Sequence, residues 1–102
     1  MQYKIILKPE AEIDLDKAIN WYEDKQVGLG IDFLLHFENT LLLVQQNPFQ
    51  FLSVIENFKR VLIQKFPYIT YFSVDEKNSI VDIYGVLHTS RNPKIYKKKI
   101  EK

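Results

Sequence analysis

Residues 68–88 read YITYFSVDEKNSIVDIYGVLH, and this stretch decides the fold. Two runs rich in aromatic and β-branched residues, Tyr68–Val74 and Ile80–His88, flank the polar segment Asp75-Glu76-Lys77-Asn78-Ser79. Such side chains suit a pleated, half-buried surface and the polar segment carries turn chemistry, so the pattern predicts an antiparallel hairpin. Side chains alternate along a strand, which puts Val81, Ile83, Gly85 and Leu87 on one face and Asp82, Tyr84 and His88 on the other.

Upstream, Val61 and Ile63 alternate with Arg60, Leu62 and Gln64, predicting a further strand that Phe66-Pro67 ends, because proline cannot donate to a ladder. Phe49–Asn57 has no clear period and reads as a loop. Before it, Leu34, Phe37, Leu41 and Val44 recur at helical spacing, with Phe33, Leu42 and Leu43 widening the stripe, so a helix is expected from Ile31 to about Gln46. Asn47-Pro48 stops it. Gly28-Leu29-Gly30 reads as the turn of a helical hairpin, with Gly28 able to adopt a left-handed backbone. It lacks the preceding strand and third glycine of a phosphate-cradling loop. A first helix follows Pro9, with Ala11, Leu15, Ala18, Ile19 and Tyr22 on one face. Tyr3–Leu7 is expected to be the first strand, and Pro93–Lys102 a short helix or a free tail.

The expected architecture is α+β in the order β-α-α-β-β-β, a helical hairpin packed on one face of an antiparallel-rich four-stranded sheet. A chain of 102 residues that is 46% hydrophobic fits one domain spanning 1–102. There is no cysteine, which removes disulfides, thiol nucleophiles and thiolate metal sites. His36 has no second histidine or carboxylate cluster at ligand spacing, so neither a metal nor another cofactor is expected. No segment approaches the roughly 20 apolar residues of a membrane span, and a cytoplasmic protein without membrane contact is expected. Charge is divided: residues 1–50 carry four lysines and eight acids (−4), residues 51–102 ten cations and five acids (+5), which sum to the net +1. The basic half suits an anionic partner or a solvated surface.

With helices on one face, Arg60, Gln64, Tyr84 and His88 would gather on the open face, if the register is regular. Imidazole can move a proton near neutrality and guanidinium can hold a phosphate through paired hydrogen bonds. The structural alternatives are a polar edge histidine bonded to backbone and an arginine that pairs with an acid of a partner.

The order of elements resembles the RelE/ParE superfamily of toxins from bacterial type II toxin–antitoxin systems. The resemblance rests on Ala11-Glu12-Ile13-Asp14-Leu15 followed by Trp21-Tyr22, on Asn47-Pro48, on Arg60, on Lys65-Phe66-Pro67-Tyr68 with Tyr71, and on Val86-Leu87-His88 with Arg91. It implies a growth-inhibiting toxin of the kind that stabilises plasmids, paired in a hetero-oligomer with a cognate antitoxin. Two mechanisms divide the superfamily. A ParE-like member binds a target such as DNA gyrase. A RelE-like member is a metal-independent, ribosome-dependent endoribonuclease that cuts mRNA, for which Arg60, His88 and Arg91 are the candidate catalytic residues. Tyr84, Gln64, Lys65 and Tyr96 are candidate binding residues, and Trp21, Leu29 and Phe33 candidate antitoxin contacts unless they are core. An inactive homologue that retains only antitoxin binding is the third reading.

Overall fold

The computed structural model describes residues 2–55 and 58–90. The elements are β1 (Lys4–Leu7), α1 (Pro9–Lys25), α2 (Leu29–Gln46), a 3-10 turn (Pro48–Gln50), β2 (Leu52–Ile55), β3 (Phe58–Leu62), β4 (Tyr68–Asp75) and β5 (Ile80–His88). The strands form one sheet in the order β1-β5-β4-β3-β2. β1 runs parallel to β5 and every other pair is antiparallel. The helical hairpin is the crossover that carries the chain from β1 to the rest of the sheet, and it lies on one face.

α1 starts with Pro9 in its first turn, Glu10 and Glu12 beside the positive end of the helix dipole and Lys25 at the negative end. Its buried face is Ala11, Leu15, Ala18 and Tyr22, spaced four, three and four residues apart. Gly28 has φ +92° and is the N-cap of α2 without a capping side chain of its own. The cap comes from α1: the Glu23 carboxylate accepts from Gly28 N–H at 3.0 and 3.1 Å and from Gly30 N–H at 3.0 Å. Of the four donors that a helix start leaves open, Glu23 thereby takes two, and the Gln26 carbonyl accepts a third, Leu29 N–H, at 3.0 Å. α2 buries Gly30, Phe33, Phe37, Thr40 and Val44. Its stripe is narrower than the sequence suggests, since Leu42 and Leu43 are half exposed. The sheet is wide enough to cover only one side of the helix.

Two hydrophobic clusters lie between helices and sheet. One joins Leu15, Tyr22, Phe33, Phe37, Ile63, Phe66 and Val86, the other Ala11, Val44, Phe72, Val74, Val81 and Ile83. Tyr22 stacks on Phe33 at 5.3 Å, and both rings meet Phe66 edge-on at 4.9 and 5.0 Å. Offset and edge geometries of this kind add to simple burial.

Two expectations need correction. The sheet has five strands, not four: residues 52–55, expected to be loop, pair with β3 as an edge strand. Second, β5 does not alternate regularly. Tyr71 pairs with Gly85 but Phe72 pairs with Ile83, so Tyr84 is an inserted residue and the strand is bulged. Beyond the bulge the faces exchange. Val81 and Ile83 pack under the helices as expected, but there Val86 takes the helix side. Leu87 turns to the opposite face with Phe58, Tyr71 and Tyr84.

Candidate functional site

The bulge decides where His88 goes. Its register partner is Tyr68, a helix-side residue, and the two rings meet edge-on at 5.2 Å. Arg60 sits opposite Tyr71 on β4 and therefore on the open face, where Tyr71 packs with Phe58 and Leu87. The expected convergence of Arg60 and His88 on one face is thus overturned. An inserted Tyr84 moves the imidazole through the plane of the sheet, and the physical cause is the period-two rule itself.

Around His88 a cleft of about 190 Å³ opens between α1 and the end of β5, lined by Asp14, Lys17, Trp21, Tyr68 and Val86 among others. Asp14 holds it together: its Oδ2 accepts the Val86 N–H at 3.2 Å, joining helix to strand just beyond the bulge. Trp21 is 53% exposed at the rim, with the Lys25 ammonium 4.8 Å from its ring centre. Asp14 and Lys17 were absent from the sequence-based candidates. Their signal was present, because Asp14, Lys17, Ala18 and Trp21 recur at helical spacing along one flank of the buried stripe.

The protonation of His88 follows from its partners. Ser90 N–H donates to Nδ1 at 3.0 Å, and the Ser90 hydroxyl lies 2.8 Å from the same nitrogen. A backbone N–H can only donate, so Nδ1 is the acceptor and the proton of the neutral ring is on Nε2. His88 therefore offers the cleft a donor rather than a base. Lys17 adds a cation at the same rim.

The other candidates are scattered. Gln64 and Lys65 are exposed in the β3–β4 turn, and Lys65 has a left-handed backbone with φ +70°. Tyr84 is half-buried on the open face, its ring 5.0 Å from Phe58 and 5.8 Å from the Lys8 ammonium. Phe33, expected as a possible antitoxin contact, is fully buried and is core. Leu29 is half-buried against the same cluster, leaving Trp21 as the exposed member of the three. Arg91 and Tyr96 lie outside the described residues. Burial pushes the Tyr71 phenol up, an effect the nearby Arg60 charge opposes. Burial also raises Tyr22, with Tyr68 adding to it. Among the described residues no group of three or more His, Cys, Asp or Glu side chains is placed to hold a metal ion, and no helix is long and apolar enough to cross a membrane.

Residues 5–93 match the family model described as the ParE toxin of the type II toxin–antitoxin system parDE. Among solved structures, the chain is similar to one from the chromosomal ParDE system of P. aeruginosa, with a TM-score of 0.73 and 13% identity over 85% of this chain and 96% of that one. It is equally similar in shape to a mutant of the E. coli toxin RelE in its free state, with a TM-score of 0.73 and 14% identity over 99% and 97% of the two chains. A chain of the toxin–antitoxin complex RelBE2 from Mycobacterium tuberculosis matches with a TM-score of 0.54 and 13% identity, over 86% of this chain and 99% of that one. None of the curated proteins matches the sequence. At these identities the solved structures establish the fold, and the family model carries the relationship.

Proposed function

The chain belongs to the ParE toxin family of type II toxin–antitoxin systems, and on that premise we propose that it arrests growth by binding a target enzyme, DNA gyrase, and is kept silent by a cognate antitoxin. The observation that carries the binding mechanism is the separation of Arg60 from His88. Metal-independent cleavage of RNA needs a base for the ribose hydroxyl, cations for the phosphate and an acid for the leaving oxygen, all within reach of one phosphate. Here Arg60 and His88 leave their strands on opposite faces of the sheet, by the register of Arg60 with Tyr71 and of His88 with Tyr68. Nδ1 of His88 is already occupied as an acceptor from Ser90. Binding makes no such demand for convergence, and an exposed Trp21 beside Lys17 and a donor imidazole suits recognition of a protein surface.

The antitoxin is supported by the ParDE and RelBE2 systems to which the fold is similar. Its contact is assigned to the α1–β5 cleft, with Trp21 as the apolar anchor. The second reading, a ribosome-dependent endoribonuclease with Arg60, His88 and Arg91 as its catalytic residues, has one observation in its favour, the full-length likeness to RelE.

Inducible expression with parallel readout of plasmid topology and mRNA integrity separates the two. Growth arrest with altered supercoiling and intact mRNA supports gyrase binding. Cut mRNA with unchanged supercoiling, abolished by His88→Ala, would replace it by the nuclease.

A further inference from the structure

α2 repeats its buried pattern on the side turned away from the sheet. Phe33, Phe37, Thr40 and Val44 are buried at spacings of four, three and four residues. Ile31, Leu35, Glu38 and Leu42 have the same spacings two residues earlier, which at 3.6 residues per turn is about 200° round the helix, on its outer face. All four are exposed, and Ile31, Leu35 and Leu42 leave 64%, 53% and 52% of their surface to solvent. The outer face of a helix on a sheet ordinarily carries charged and polar residues. Single exposed leucines need no explanation, but an aligned row of large aliphatic side chains marks a contact surface.

Acids border this row on the α1 side. Glu12, Asp16, Ile19 and Glu23 follow one another along α1 at spacings of four, three and four residues. The last two face α2: Glu23 caps its start, and the Ile19 carbonyl lies 2.8 Å from where a Cβ on Gly30 would stand. Glu12 and Asp16 therefore continue the same flank along α2, and both are exposed. Between the two rows Ile19, Leu34 and Leu41 are half-buried, an apolar seam along the hairpin. α2 contains no lysine or arginine. The ion pairs among the described residues, Lys8 with Asp82 and His36 with Asp32, use none of Glu12, Asp16 and Glu38. Lys17 is on the opposite flank of α1, where it lines the cleft toward β5. The outer face of the hairpin is thus apolar along its middle and acidic at its border.

We propose that this face binds a basic amphipathic helix of a partner protein, laid along the α1–α2 seam with its apolar row on Leu35 and Leu42 and lysines or arginines at its margins meeting Glu38, Asp16 and Glu12. A helical face has no free backbone for a strand to join, so an occupant must bring apolar side chains at helical spacing. Ile31 to Leu42 covers about 17 Å, three turns of helix, which sets the length of the contact. The carboxylates set the sign of the partner: they attract a basic helix and repel an acidic one of the same shape. This surface is separate from the α1–β5 cleft, and the proposal depends neither on the antitoxin contact assigned there nor on which target the toxin acts on.

The test uses the full chain and a fluorescein-labelled peptide of two Leu-Lys-Lys-Leu-Leu-Lys-Leu repeats, followed by anisotropy, with Leu-Glu-Glu-Leu-Leu-Glu-Leu repeats as control. Saturable binding of the lysine peptide alone is expected. Leu35→Ser should weaken it about tenfold, the lower end of what burying a leucine is worth, and Glu38→Gln about two- to fivefold, the range of an exposed ion pair. Glu76→Gln, an exposed acid in the β4–β5 turn, should leave it unchanged. All three side chains are exposed, so the fold is retained, and circular dichroism checks it. Failure of the lysine peptide to bind, equal binding of both peptides, indifference to Leu35→Ser, or equal weakening by Glu38→Gln and Glu76→Gln would overturn the proposal. Sedimentation that reveals a dimer abolished by Leu35→Ser would also overturn it, since a second copy would then be the occupant. Growth arrest in cells is scored separately, so loss of the helix site and loss of the toxin function are told apart.

Discussion

Replacing Gly30 by alanine sets two effects of opposite sign against each other. By helix propensity alone, glycine to alanine within a helix is worth up to about 1 kcal/mol of stabilisation. The hairpin contact opposes it. A Cβ at position 30 would stand 2.8 Å from the Ile19 carbonyl oxygen, 3.0 Å from Glu23 Oε1 and 3.1 Å from Glu23 Cβ. The nearest atom is α1 backbone, which cannot rotate aside, so the helices must part. Overpacking of this kind costs about 1–3 kcal/mol. Parting the helices also stretches the bond from Gly30 N–H to the Glu23 carboxylate, worth about 1.5–3 kcal/mol when intact. Set against the propensity gain, a net loss of about 2 kcal/mol is expected, which lowers the melting temperature by about 8–16 °C in a domain of this size. Urea unfolding and thermal melts followed by circular dichroism measure it. A variant as stable as the parent, or more stable, would refute the close crossing of α1 and α2 at this point.

Three further outcomes follow from the same packing. Thr70 Oγ1 is buried without a hydrogen-bond partner, so Thr70→Val should leave stability unchanged or raise it by about 1–3 kcal/mol in urea titrations, where most core substitutions lower it. Glu23→Ala removes the only side-chain cap of α2 found among the described residues and should cost about 1–2 kcal/mol, with a smaller loss for Glu23→Gln, which can still accept. Tyr22 and Tyr71 both ionise above their ordinary value of 10.0 in the folded chain, chiefly because of burial. The unfolded chain therefore loses these protons first. Their contribution is intact below about pH 10 and disappears as pH rises through the folded values. Melting curves should show an alkaline decline that Tyr22→Phe makes shallower.

The strand Ile80–His88 and the turn before it were legible because a polar segment with turn residues separates two runs of β-formers, and tertiary context did not override them. The helical hairpin was legible for the same kind of reason, with Ala11, Leu15, Ala18 and Tyr22 at the period of one face. β2 was not. Leu52-Ser53-Val54-Ile55 lacks alternation because an edge strand here leaves Leu52 and Val54 exposed, so its apolar residues do not report burial. The bulge was hidden for a deeper reason. Tyr84 extends an unbroken run of β-formers, and nothing in Ile83-Tyr84-Gly85-Val86 separates an inserted residue from a paired one except the glycine. That one residue moved His88 from the open face to the α1 cleft, so the site was the part most sensitive to what the sequence does not print. Asp14 and Lys17 escaped notice because charged residues on a helix flank ordinarily mark solvent, and only the Val86 N–H turned toward Asp14 distinguishes this pair.

The proposed action of this toxin is binding rather than RNA cleavage. Purified protein added to gyrase, ATP and relaxed plasmid tests it most directly, with ribosome-bound mRNA incubated in parallel. Loss of supercoiling at concentrations that leave the mRNA whole is the expected result. Undisturbed supercoiling together with mRNA cleavage that disappears in Arg60→Ala or His88→Ala would contradict it.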